Sequence, residues 1–171
     1  MKIYISIFLI LLNEFCCSQD LSFYRDTANK FSIGIPNGWT QQIINEPTST
    51  IKLNVFRPRM DETDNPREVY KVDLLSIPNS NLDLAYRDIL KNSSLWDKFK
   101  LLAEGDTIIN NRKYKWFKEE HENMLSKETM TAYVYLGYKA PMVYMVTFVT
   151  TAALFDQYES LFRKISSSFR L

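Results

Sequence analysis

The sequence predicts an α+β domain in which a central antiparallel sheet is flanked by helices. Three observations carry that prediction. Apolar residues alternate with polar ones in short runs divided by Pro, Asn and Gly turn signals. Two other stretches switch to the 3.6-residue period of an amphipathic helix. Two of the longer extended runs are apolar on both alternating sets, so they need cover on both faces. With 171 residues, 46% of them hydrophobic, the chain can bury one sizeable core, and a single domain over residues 21–171 is expected.

Residues 21–77 read as strands. Phe31, Ile33 and Ile35 alternate with Ser32 and Gly34 before the turn Pro36-Asn37-Gly38, and Trp39 to Ile44 resumes in extended form. Ile51, Leu53 and Val55 alternate with Lys52 and Asn54. The stretch from Arg57 to Arg67 holds two prolines and several acids, which predicts an exposed, mobile loop. Val69 to Ile77 follows as a strand ended by Pro78 and Asn79. Leu82, Tyr86, Ile89 and Leu90 then fall on one helical face, with Asn81 placed to cap the helix.

Phe99 to Asn110 and Tyr114 to Glu119 predict a hairpin around Asn110-Asn111, residues that tolerate the positive φ of such turns. A second hairpin is expected from Thr129 to Lys139 and Met142 to Thr150, joined at Ala140-Pro141. In its first strand Tyr133 and Tyr135 stand on one face and Ala132, Val134 and Leu136 on the other; in its second, Tyr144, Val146 and Phe148 stand opposite Val143, Met145 and Val149. A last helix presents Leu154, Tyr158, Leu161, Phe162 and Ile165 as a stripe. Asp156 and Glu159 stand early in it and Arg163 and Lys164 late, as the helix dipole favours.

Composition excludes several function classes. Lys plus Arg number 21 against 20 Asp plus Glu, so no field of one sign draws in nucleic acid or an anionic membrane by net charge. The 4 glycines form no phosphate-cradling cluster. One histidine, and two cysteines confined to Cys16 and Cys17, assemble neither a His/Cys metal cluster nor a disulfide framework. No cofactor is expected.

The N-terminus reads as an address. Lys2 precedes an apolar run from Ile3 to Leu12 broken only by Ser6, which fits the short core of a secretory signal and is too short to span a bilayer. Residues 1–18 are therefore expected to direct export, to the periplasm, to the outer membrane as a lipoprotein, or to the exterior. Two processing routes stay open. Cys16 and Ser18 suit a signal-peptidase cut before Gln19, whereas Cys16 or Cys17 could be the lipidated first residue of a lipoprotein.

The stretch Phe31-Ser32-Ile33-Gly34-Ile35-Pro36-Asn37-Gly38-Trp39 resembles the opening signature of PsbP-like domains, and Tyr158, Leu161, Phe162 and Ile165 leading into Ser168-Phe169-Arg170-Leu171 resemble their closing helix and tail. Asn110 to Trp116 stands where many relatives carry an Asn-Gly turn, here without the glycine. The resemblance implies an αβα sandwich around an antiparallel sheet. It implies binding rather than catalysis, and it transfers no catalytic residue.

Candidate chemistry follows from these readings. The first expectation is a noncatalytic exported domain that binds a protein partner in the envelope, with a surface formed by Arg57, Arg59 and Arg67 and an exposed Trp39 nearby. Trp96, near a helix end, is expected to be exposed as well. The alternative is a small-ligand or lipid carrier whose cleft is lined by Tyr133, Tyr135, Tyr144 and Phe148. The third is a hydrolase using Glu119 and His121, which alternation places on one strand face. His121-Glu122 opens like a zinc-protease motif, but Leu125 stands where the second histidine belongs, and no Gly-x-Ser-x-Gly elbow occurs. Asp61 to Asn65 lacks the glycine and distal glutamate of a calcium loop.

Overall fold

The computed structural model describes residues 20–171 except 63, 65, 78 and 79. Within them the chain runs β1 (Leu21–Asp26), β2 (Phe31–Pro36), β3 (Thr40–Ile43), β4 (Ile51–Phe56), β5 (Val69–Ser76), α1 (Leu82–Ser93), β6 (Lys100–Ile109), β7 (Arg112–Glu122), β8 (Thr129–Lys139), β9 (Met142–Thr151) and α2 (Phe155–Ser168). Seven strands form one sheet in the order β3-β4-β5-β9-β8-β7-β6, every neighbouring pair antiparallel.

The two-faced apolar strands β8 and β9 lie inside this sheet because only there are both faces covered. Tyr133, Tyr135, Tyr144, Val146 and Phe148 join Phe155, Phe162 and Ile165 of α2 in the larger core. Ala132, Val134, Leu136 and Val143 join Ala85 and Ile89 of α1 in the smaller one. The face assignment predicted from alternation is the one observed. Gly137 is required where it sits, since a Cβ there would approach Tyr114 Cε1 to 2.6 Å.

One expectation needs correction: the early strands do not all enter the central sheet. β1 and β2 make a separate two-stranded ribbon, with Leu21 opposite Pro36 and Asp26 opposite Phe31. It shares the α2 side of the sheet, where Phe31, Ile33 and Ile35 are buried. Gly34 lets the ribbon close on α2, its N–H donating to Ser168 Oγ at 2.7 Å and its carbonyl accepting from Tyr70 OH at 2.9 Å. Beyond α2, Ser32 and Arg170 exchange two backbone hydrogen bonds of 3.0 and 2.9 Å. The layers are thus α1, the seven-stranded sheet, and α2 together with the ribbon.

Local signals explain several boundaries. Asn81 Oδ1 accepts from the Leu84 N–H at 2.9 Å and caps α1. Asn110 and Asn111 hold φ of 51° and 61°, the left-handed pair of a two-residue hairpin turn. α2 runs past the expected basic end to Ser168, so Arg163 and Lys164 do not occupy its last turn. The hydroxyls of Ser166, Ser167 and Ser168 instead bond back to the carbonyls three residues earlier. Arg163 pairs with Glu159, and its guanidinium stands 5.2 Å from the centre of the Tyr133 ring.

Candidate functional site

Antiparallel pairing brings the β4–β5, α1–β6 and β7–β8 connections to one end of the sheet. Val69, Val149, Ala132, Glu119 and Leu101 form a single cross-strand row just inside that end. Asp20 is there too, its carbonyl accepting from the Asn37 N–H at 2.9 Å where β1 begins and β2 ends. Most of the residues singled out from sequence fall at this loop end, but not in the states expected.

The Arg57 to Arg67 segment is a cross-tied loop. Arg57 donates through Nε to Glu68 Oε2 at 2.6 Å and through Nη1 and Nη2 to the two carboxylate oxygens of Asp64, each at 2.8 Å. Its side chain is 11% exposed and that of Glu68 1%. Arg57 is therefore a structural clamp and no free anion receptor. Its partners hold it in the charged form. Arg67 pairs with Glu128 at 3.2 Å, linking this loop to the β7–β8 loop, and Arg59 is exposed.

The clamp has a pH signature. Hydrogen bonds from Arg57 and from the Met60 N–H, 2.8 Å away, hold the Asp64 carboxyl down at about 2. A depressed carboxyl stabilises the fold fully above its ordinary value of 3.8 and loses that contribution as pH falls through about 2. The Met60 amide proton resonance is expected to titrate with a midpoint near 2. A midpoint near 4 would show that the clamp does not form in solution.

Trp39 corrects the expectation of an exposed anchor. It is 8% exposed, with its ring centre 6.5 Å from those of both Tyr70 and Tyr158. The turn before it directs the indole inward, under the start of α2. The carrier cleft is corrected likewise. Tyr133, Tyr135, Tyr144 and Phe148 are 1%, 6%, 3% and 0% exposed. Phe148 stacks on Phe162 of α2 at 5.0 Å, so side chains fill the space a ligand would need.

Glu119 and His121 do meet. Glu119 is fully buried, and both of its carboxylate oxygens lie 3.1 Å from His121 Nδ1. The imidazole packs edge-on against Trp96, centroids 4.5 Å apart. Glu119 fixes the orientation of the ring, and the ring nitrogen gives the buried carboxyl a hydrogen-bond partner. A cavity of about 540 Å³ adjoins His121, bordered also by Leu95, Trp96, Asp97, Glu122, Met124 and Lys127. The pair can orient a proton, and the Asp97 and Glu122 carboxylates and the Lys127 amine are the other ionisable side chains that line the cavity. Among the described residues no group of three or more His, Cys, Asp or Glu side chains could hold a metal.

Trp96 is exposed, as expected, but the two surfaces to which the exposed apolar residues belong went unnoticed in the sequence. At the loop end Leu95 is 79% exposed, Trp96 48%, Met124 78% and Leu125 95%. The visible signal was a pair of large apolar residues inside a polar turn, Asn123-Met124-Leu125-Ser126. The loops carrying them are braced, for the Glu122 N–H donates to the Asp97 carbonyl at 2.8 Å and Lys98 and Lys127 both pair with the Glu122 carboxylate. The second surface is β6, the margin of the sheet, where Leu101, Leu102 and Ile108 are exposed. In a two-residue hairpin Ile109 and Arg112 bond to each other, which turns the backbone groups of Ile108, Asp106 and Glu104 away from β7. Cys16 and Cys17, like the rest of the expected signal, lie outside the described residues.

With this geometry in view, comparison with known proteins defines the class. No family model matches the chain, and no curated protein matches it. Among solved structures it is similar to cyanobacterial PsbP (CyanoP) from Synechocystis, at 18% identity over 90% of this chain and 94% of that one, with a TM-score of 0.60. It is also similar to LpqN of Mycobacterium tuberculosis, described as involved in cell envelope biogenesis, at 7% identity over 88% and 89% and a TM-score of 0.59. A Pseudomonas aeruginosa protein of unknown function follows at 16% identity over 86% and 94%, TM-score 0.51. The fold is PsbP-like, an antiparallel α+β sandwich, as the residues at the two ends of the domain imply.

Proposed function

We propose that the chain is a noncatalytic domain, exported to the cell envelope by residues 1–18, that captures a protein partner by adding an extended segment of that partner to β6. The observation that carries this is the open margin of the sheet. β6 is ten residues long, turns alternate backbone donors and acceptors outward, and exposes Leu101, Leu102 and Ile108 beside them. An unpaired strand edge is a template for another strand, and an added strand gains main-chain hydrogen bonds with side-chain contacts for specificity, here to the exposed leucines and to Lys100, Glu104 and Asp106. The filled core supports binding at the surface over a ligand held inside the sandwich. LpqN's described role in envelope biogenesis agrees with the compartment.

The test is cross-linking of the tagged chain in its native envelope, repeated with Leu102→Lys combined with Ile108→Lys. Both positions are exposed, so the fold is expected to persist, while a charged edge rejects pairing. A partner captured stoichiometrically by the natural chain and lost from the variant, with unfolding temperature unchanged, supports the reading. Equal capture by both places the partner elsewhere, and isolation of the natural chain alone overturns partner binding.

A further inference from the structure

We infer that the loop end of the domain rests on a lipid surface, with Leu95, Trp96, Met124 and Leu125 in the interfacial layer. Five large apolar side chains among the described residues are more than 70% exposed, and four of them, Met60, Leu95, Met124 and Leu125, sit on the loops of this one end. The fifth, Ile108, belongs to β6. The loops are tied to one another through Glu122 and through Arg67 with Glu128, so these side chains are held outward together. Trp96 adds an amphipathic ring of the type that settles at membrane interfaces. Lys98 and Lys127 share the Glu122 carboxylate and stand 70% and 64% exposed at the rim, so the three groups together present one net positive charge to anionic headgroups.

The second observation is where the chain enters. Residues 1–19 join the domain at Asp20, at this same end. The inference rests here on the lipoprotein route of the export reading: an acyl group on Cys16 or Cys17 leaves three or four residues before Asp20, a reach of at most about 10 to 14 Å. An anchor so close brings the loop end to the bilayer and leaves no room for a protein layer between them. β6 then runs away from the membrane, with its open edge accessible from the side.

The inference is tested by reconstituting the full chain in vesicles of phosphatidylethanolamine and phosphatidylglycerol with brominated acyl chains, and reading tryptophan quenching. Trp96 emission is expected to be quenched and blue-shifted, and Trp96→Phe to remove the quenched component, because Trp39 is buried in the core and Trp116 is half-buried in mid-strand on β7 against Tyr133. Leu125→Asp is expected to shift the ratio of docked to undocked loop ends about tenfold or more, the effect of withdrawing one leucine from an apolar layer. A chain that sediments with vesicles while Trp96 stays unquenched is anchored but faces something other than lipid, a protein surface included, and the inference falls. A chain that ignores vesicles overturns it together with the anchor. The Leu102→Lys, Ile108→Lys variant is expected to keep full quenching, so failure of the edge-pairing proposal is read separately.

Discussion

Arg57→Ala is expected to lower the stability of the domain by about 3 kcal/mol, because it leaves the Glu68 carboxylate, 1% exposed, without its guanidinium partner. For a domain of this size that corresponds to a fall in unfolding temperature of about 10 °C at neutral pH. The greater part of the loss comes from the orphaned charge rather than from a missing attraction. Adding Glu68→Gln to Arg57→Ala should therefore recover much of the stability, since a neutral amide is cheaper to bury than a carboxylate. Arg57→Lys keeps a positive charge but cannot make the two-pronged contact with Asp64, and it is expected to fall between the two. A loss below about 1 kcal/mol for Arg57→Ala would mean that the loop opens to hydrate Glu68.

Phe162→Ala is expected to cost about 3 to 5 kcal/mol. Phe162 is fully buried, stacked on Phe148 at 5.0 Å and on Tyr158 at 6.0 Å, with Phe155 edge-on at 6.1 Å. No neighbour can collapse into the space without leaving α2 or β9. Thermal unfolding should show a drop of 10 °C or more. A small drop would mean that the α2 face of the sheet is loosely filled, which would reopen the reading in which Tyr133, Tyr135, Tyr144 and Phe148 surround a ligand. Phe23, 66% exposed on β1, provides the contrast: alanine there is expected to change stability by less than about 0.5 kcal/mol.

What the sequence made legible was local. Period-two alternation placed Tyr133 and Ala132 on opposite faces, and put Glu119 beside His121, because side-chain direction in a strand depends only on parity. Asn81 and the pair Asn110-Asn111 declared their positions through chemistry that acts over three or four residues. Trp39 was misjudged because its surroundings come from Tyr158, far along the chain, and adjacency to a turn says nothing about what packs above it. Arg57 was misjudged because alternating charges usually mark a solvated surface, whereas here the acids fold back on the base. The margin position of β6 could not be read at all. Strand order is a property of pairing between distant segments, and only that order separates an open edge from an interior strand.

The bond from Gly34 to Ser168 and the Ser32–Arg170 bridge join the opening ribbon to the last residues of the chain, 134 positions apart in the first case. A chain threaded through a membrane from its N-terminus delivers the ribbon first and its cover last. Until α2 and the tail have emerged, Phe31, Ile33 and Ile35 have nothing above them and the larger core cannot close. If the chain is exported as proposed above, the larger core closes only after α2, Phe169 and Arg170 have crossed.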